Sequence, residues 1–361
     1  SSFVTSQANN SSGNAGSITI EAPHGDVMLE GTTVLNSINK DTGTLGGIQV
    51  TANNLFLTGS RILENNVAQQ AAGNIVIMLE GRLNLTGDSF IQTGTDGPAN
   101  AAHLIIRARD ILITENSSLL TEPTSTSRGA AGAIDLSAQT LTIQNGGKIS
   151  ATTFGISPTA TGGSITIKVT DHVMMSDNAS ITASSRGPAD AGNISINAGR
   201  QLELHNASSI TTTTTLGQAN GGDIGIQAID RVRLVNNSEI STSVKGTEGS
   251  GGNIFIDPKV VILEGSNVTA NAVTGAGGNI TFVTPLFLAD AASRVSASSE
   301  RGPSGTVTIQ SPTANLSGAV GQLVSKTSPP QILLQNRCVA SAGGEQSTFI
   351  LAGRDTLPIE P

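Results

Sequence analysis

The chain has 361 residues and a net charge of −8; 37% of its residues are hydrophobic and 13% charged, with no Trp, no Tyr, 8 Phe and a single cysteine. Such a low charged share and so few aromatics point to a thin interior filled by branched aliphatic side chains. An acidic balance spread along the chain excludes a nucleic-acid-binding face, and one cysteine excludes an internal disulfide framework. No apolar run is long enough to cross a bilayer as a helix, and no leader-like pattern opens the chain.

The first residues, Ser1-Ser2-Phe3-Val4-Thr5, read like the inside of a repeat, so a processed or excised fragment is expected. A motif then begins at Gly16-Ser17-Ile18-Thr19-Ile20: a small residue, any residue, and an apolar-x-apolar pair. It returns with pairs at Ile48 and Val50, Ile75 and Ile77, Leu104 and Ile106, Ile134 and Leu136, and Ile165 and Ile167. Further copies sit at Ile194 and Ile196, Ile224 and Ile226, Ile254 and Ile256, Ile280 and Phe282, and Val307 and Ile309. These eleven anchors lie 26 to 31 residues apart.

A second alternating pair follows each of the first ten anchors. The pairs are Val27 and Leu29, Leu55 and Leu57, Leu83 and Leu85, Ile111 and Ile113, and Leu141 and Ile143. They continue with Val173 and Met175, Leu202 and Leu204, Val232 and Leu234, Val261 and Leu263, and Leu286 and Leu288. A third strand is expected around Val34, Ile62, Ile91, Leu119, Ile149, Ile181, Ile210, Ile240, Val268 and Val295. Before it, in register, stand Gly31, Gly59, Gly87, Asn116, Gly146, Asn178, Asn206, Asn237 and Gly265. Gly and Asn enter positive φ at least cost, so these are read as tight left-handed corners.

A period of two within each segment argues strand, not helix. Three strands per repeat, stacked on their equivalents, predict an all-β fold: a right-handed parallel β-helix of about eleven coils. Residues 1–309 are assigned to that shaft. Residues 310–361 are assigned to a cap over its end, with a short helix over Gln331–Cys338 and a last strand at Ser347–Leu351. The segments from the third strand to the next anchor vary in length and line one edge, where repeat proteins often bind partners. Ser127-Arg128-Gly129, Ser185-Arg186-Gly187 and Glu300-Arg301-Gly302 recur there, making Arg128, Arg186 and Arg301 candidate contacts.

Little catalytic chemistry is visible. His24, His103, His172 and His205 occupy different repeat positions, so no metal site is expected from them. Asp135, Asp171, Asp190, Asp223 and Asp230 share no register, and no aromatic platform for sugar rings is present. Neither a calcium-binding nonapeptide nor a phosphate loop occurs, and no cofactor is expected. Asn-x-Ser/Thr sequons at Asn84, Asn178, Asn206, Asn236 and Asn267 are close to what so Asn- and Thr-rich a chain would contain by chance. Cys338 is read as a small buried hydrophobe, with an intermolecular disulfide as the alternative.

The Gly-x-Ile-x-Ile coils resemble the shafts of filamentous-haemagglutinin-like exoproteins of two-partner secretion systems. The tail from Arg337-Cys338 to Ser347-Thr348-Phe349-Ile350-Leu351-Ala352-Gly353-Arg354-Asp355-Thr356-Leu357-Pro358 is similar to the C-terminal ends of such proteins in cyanobacteria and other Gram-negative bacteria. The resemblance implies export through an outer-membrane secretion pore, folding outside the cell, and work as an adhesin or fibre. The family's amino-terminal secretion domain, with its Asn-Pro-Asn motifs, is not among these residues. The expected function is therefore a non-enzymatic extracellular rod at a Gram-negative cell surface, an adhesin shaft or matrix fibre used in biofilm or host attachment. Its expected partners are a host or neighbouring-cell glycan or matrix, with self-association in addition. A filament polymerising end to end and a polysaccharide lyase or hydrolase are the alternatives.

Overall fold

Alternating Ile, Leu and Val positions dictate short strands with one buried face, and the computed structural model stacks those strands in parallel. It describes residues 2–8, 13–38, 43–67, 73–216, 218–246 and 248–310. The chain divides into two units, 1–312 and 313–361, and every described residue belongs to the first. The expected cap, its helix and strand, Cys338 and the tail that carries the resemblance lie outside the described residues.

The described residues are all-β: an 11-stranded sheet and a 17-stranded sheet, every pairing parallel, wound as a solenoid of about 10 turns. At roughly 4.8 Å per rung the stack is on the order of 50 Å long. The third strands form the 11-stranded sheet by themselves. It begins with Ser2–Ala8, which pairs with Thr32–Ile38, so the opening residues are indeed the third strand of a rung. Anchor and second strands share the other sheet. In Ile18–Glu30, Ile48–Thr58, Ile134–Ile143 and Ile165–Met175 the two run on as one bent strand.

The interior is a set of columns. Ile165, Ile194, Ile224, Ile254 and Ile280 stack rung over rung, each buried to within 1% exposure. Ile149, Ile181, Ile210, Ile240 and Val268 do the same in the third-strand sheet. Like side chains above like side chains make one continuous aliphatic cluster along the stack. One further column has no counterpart in the sequence reading: Ala22, Ala52, Leu79, Ala108, Ala138, Val169, Ala198 and Ala228 occupy the bend between anchor and second strand. Six of the eight are Ala, whose small side chain lets the two arms fold toward each other.

The register of the last second strand corrects the expectation. Val261 pairs with Phe287 and Leu263 with Ala289, so Phe287 faces the core and Leu286 and Leu288 face outward, each 47% exposed. Phe287 meets Phe282 edge to face at 4.9 Å. Three consecutive large apolar residues fit either face, and a one-residue slip inverts every side chain.

Anchor glycines are required by close approach. A Cβ on Gly192 would lie 2.0 Å from the Gly163 carbonyl oxygen, and on Gly222 1.9 Å from that of Gly192. From Gly163 onward the anchor amides also close their own coils: Gly192 N–H donates to Ala183 O at 2.7 Å and Gly278 N–H to Ala270 O at 2.8 Å. Where that third-strand residue is Thr, its hydroxyl returns the bond, as Thr212 does to Gly222 O at 2.5 Å and Thr242 to Gly252 O at 2.5 Å.

Candidate functional site

The nine corner residues all have positive φ, from 53° at Gly31 and Asn206 to 75° at Gly146. Most are half of a left-handed pair that the sequence reading did not separate: Asp88, Glu115, Asn145, Asp177, Ala207 and Asn236 also have positive φ. The corner backbone is itself laddered, Asn116 N–H donating to Asn145 O at 3.0 Å and Gly146 N–H to Asp177 O at 2.9 Å. On the anchor side, Asn and Asp side-chain oxygens climb the stack in the same way. Asn193 Oδ1 accepts the Asp223 amide at 2.8 Å, Asp223 Oδ1 that of Asn253 at 2.7 Å, and Asn253 Oδ1 that of Asn279 at 3.0 Å. His103 occupies an equivalent place, its Nδ1 accepting the Ala133 amide at 2.9 Å. Much of the Asn content is thus rung-to-rung hydrogen bonding.

Several acidic residues are engaged likewise. Asp190 accepts the Asn220 amide at 2.7 Å, Asp171 meets His172 Nδ1 at 3.1 Å, and Asp230 joins Arg200 at 3.0 Å to Lys259 at 3.3 Å. Glu203 meets His205 Nε2 at 3.2 Å and Arg231 at 2.5 Å. Burial alone would raise its pKa, but these partners outweigh burial and hold it below the usual carboxylate range. Among the described residues no cluster of three His, Cys, Asp or Glu side chains is arranged to hold a metal ion. One carboxyl stands apart. Glu64 points into the core at 1% exposure, neither of its oxygens has a hydrogen-bond partner, and burial pushes its pKa up to about 9.

The three arginines are exposed but are not brought together. Arg186 directly follows Ser185, which bridges to Thr153 and Thr214, whereas Arg301 lies two residues past the bridging Ser299. The Arg128 amide donates to Gly97 O at 3.3 Å, several rungs from Arg301. Arg186 lines a hollow. A groove of about 530 Å³ runs over the outer face of the third-strand sheet, with Thr182, Ser184, Thr211 and Thr213 as its floor and Lys148, Phe154, Arg186 and Lys245 around it.

Outward positions on consecutive third strands stack in register, so the floor is two columns of hydroxyls. They bond to one another: Thr182 Oγ1 to Ser184 Oγ at 2.9 Å, Thr211 Oγ1 to Thr182 Oγ1 at 3.2 Å, and Ser184 Oγ to Thr213 Oγ1 at 3.3 Å. Beyond the groove the pattern continues, Thr269 Oγ1 donating to Ser241 Oγ at 2.9 Å and Ser296 Oγ to Asn271 Oδ1 at 2.8 Å. Lys148 is paired with Glu122 at 2.9 Å, while the Arg186 guanidinium lies over the Phe154 ring, 5.2 Å from its centroid. Such a floor offers donors and acceptors along a line, edged by positive charge.

Compared with known proteins, the chain matches no family model, no curated protein and no solved structure.

Proposed function

We propose that the protein is a secreted, non-enzymatic structural protein of the filamentous-haemagglutinin-like kind, an adhesin shaft or matrix fibre at a Gram-negative cell surface. The observation that supports this reading is continuity. Parallel pairing runs through all the third strands in one unbroken sheet, so apolar surface is spent on length and the outer faces are left for contact. Export through an outer-membrane pore and folding outside the cell belong to the same proposal, and a surface glycan or matrix is the partner.

Beads coated with the purified chain are expected to adhere to some surfaces of a panel of glycans and matrix proteins and to release no cleavage products. Absence of adhesion across the panel would count against the adhesin reading, and turnover of a uronate-containing glycan would favour a β-helix lyase or hydrolase. A filament growing end to end is the alternative reading. Electron microscopy of the purified chain distinguishes polymers from separate shafts.

A further inference from the structure

We propose that the groove over the third-strand sheet binds an extended anionic polysaccharide lying along the solenoid axis. This deepens the adhesin reading and rests on its premise that a glycan is the partner. The first ground is charge. The chain as a whole has 27 acidic and 19 basic residues, yet the residues lining this groove include Lys148, Arg186 and Lys245 and no carboxylate. Lys148 is neutralised by Glu122, but neither Arg186 nor Lys245 has an acidic partner among the described residues. Two cations left unpaired beside a concave surface attract an anion and resist a neutral or basic ligand.

The second ground is spacing. The bridging residues Ser185, Thr214 and Val244 stack on successive rungs, and Arg186 and Lys245 each follow one of them. The backbones that carry the two cations therefore stand two rungs apart, on the order of 10 Å along the axis, close to the advance of a disaccharide in an extended glycan. Between them the floor at Thr182 and Thr211 presents hydroxyls, each able to donate once and accept twice, and their mutual bonds leave capacity for sugar hydroxyls. The Phe154 ring, already covered by the Arg186 guanidinium, holds that cation at the groove wall and limits its rotamers. Carboxylate and sulfate would both satisfy the two cations, so the ligand class is defined by a regularly repeated negative charge on a hydroxyl-rich polymer.

The test immobilises polygalacturonate, dextran sulfate and unmodified dextran and measures retention of the full chain, of Arg186→Ala, and of Arg186→Ala with Lys245→Ala. Circular dichroism and melting curves verify that these exposed substitutions leave the fold intact. Retention is expected on at least one anionic polymer and not on dextran, weakening about tenfold for each cation removed and falling with added salt. Equal retention on dextran, unchanged binding by the double variant, or no retention on either anionic polymer would overturn the proposal. Failure of the groove is separable from failure of the adhesin reading. Beads carrying the double variant that still adhere to the anionic polymers as the native chain does would sink the groove alone, and polymer retention without bead adhesion to any surface of the glycan and matrix panel would sink the adhesin reading alone.

Discussion

Glu64 offers a sharp test of how this core is built. Its strand, Arg61–Asn66, alternates outward and inward, and Glu64 takes the inward position two residues past Ile62. On the neighbouring rungs that position is held by Asn36 and Thr93, and both are donors to anchor carbonyls, Asn36 Nδ2 to Gly46 O at 2.5 Å and Thr93 Oγ1 to Ala102 O at 2.6 Å. An ionised carboxylate has no proton to donate, and Glu64 has no charged neighbour that contributes to its shift. Burial therefore favours the neutral acid, with a pKa of about 9 in the fold against 4.5 as the ordinary value.

Below pH 4.5 folded and unfolded chains both hold this proton; above it the unfolded chain releases it while the folded chain keeps it until the pH nears 9. Stability should therefore fall as pH rises through that window, by at most about 1.4 kcal/mol per unit, or about 4 kcal/mol from pH 5 to pH 8. Because a solenoid opens locally, the readout is amide hydrogen exchange over residues 61–66, corrected for intrinsic rates, in the native chain and in Glu64→Gln. Protection of the native rung should drop with pH by far more than that of the variant. Glu64→Thr, which restores the hydroxyl found at Thr93, should be the most protected of the three at pH 8. Equal pH dependence in native chain and Glu64→Gln would refute the argument.

Other consequences of the stack can be measured directly. Gly222→Ala sets a Cβ 1.9 Å from the Gly192 carbonyl oxygen, so the rungs must part; a loss of about 3 kcal/mol is expected from thermal or chemical melts. Ile194→Asp buries an unpaired charge between Ile165 and Ile224, and limited proteolysis should find new cleavage near residues 192–198, whereas unchanged resistance would contradict the column. Asn237→Ala keeps a side chain at φ 60° without the carboxamide, and should cost about 1 kcal/mol, while Asn237→Gly should be nearly neutral. Glu203→Gln removes the partner of Arg231 and His205. The lowered pKa of Glu203 means that its contribution is present at neutral pH and is lost as pH falls through the folded pKa, so native chain and variant should converge in acid.

Some of this molecule is legible residue by residue. Spacing from Ile194 to Leu202 to Ile210, repeated from Ile224 to Val232 to Ile240, can be read directly because a parallel stack sets each residue above its equivalent. Corner positions such as Asn116 and Gly146 are legible for a similar reason, since only a few residues tolerate left-handed backbone. Leu286-Phe287-Leu288 was not, because an unbroken apolar triplet carries no phase and the pairing of Phe287 with Val261 decides it. Glu64 falls on the face of Ile62 by a period of two, but its lack of a partner there shows only once Asn36 and Thr93 are seen above and below it. The groove was hidden as well: Thr182 and Thr211 have the composition of a loop, and of the three recurring arginines only Arg186 borders it.

The amino-acid sequence by itself determined the coil, its period and the aliphatic columns, because period-two burial and the steric demands of Gly and Asn are local properties of the chain. Only the tertiary structure decided which outward side chains meet across rungs. That outcome depends on cross-rung register and on charges brought together from residues far apart in the chain, as with Lys148, Arg186 and Lys245, and no local pattern encodes it.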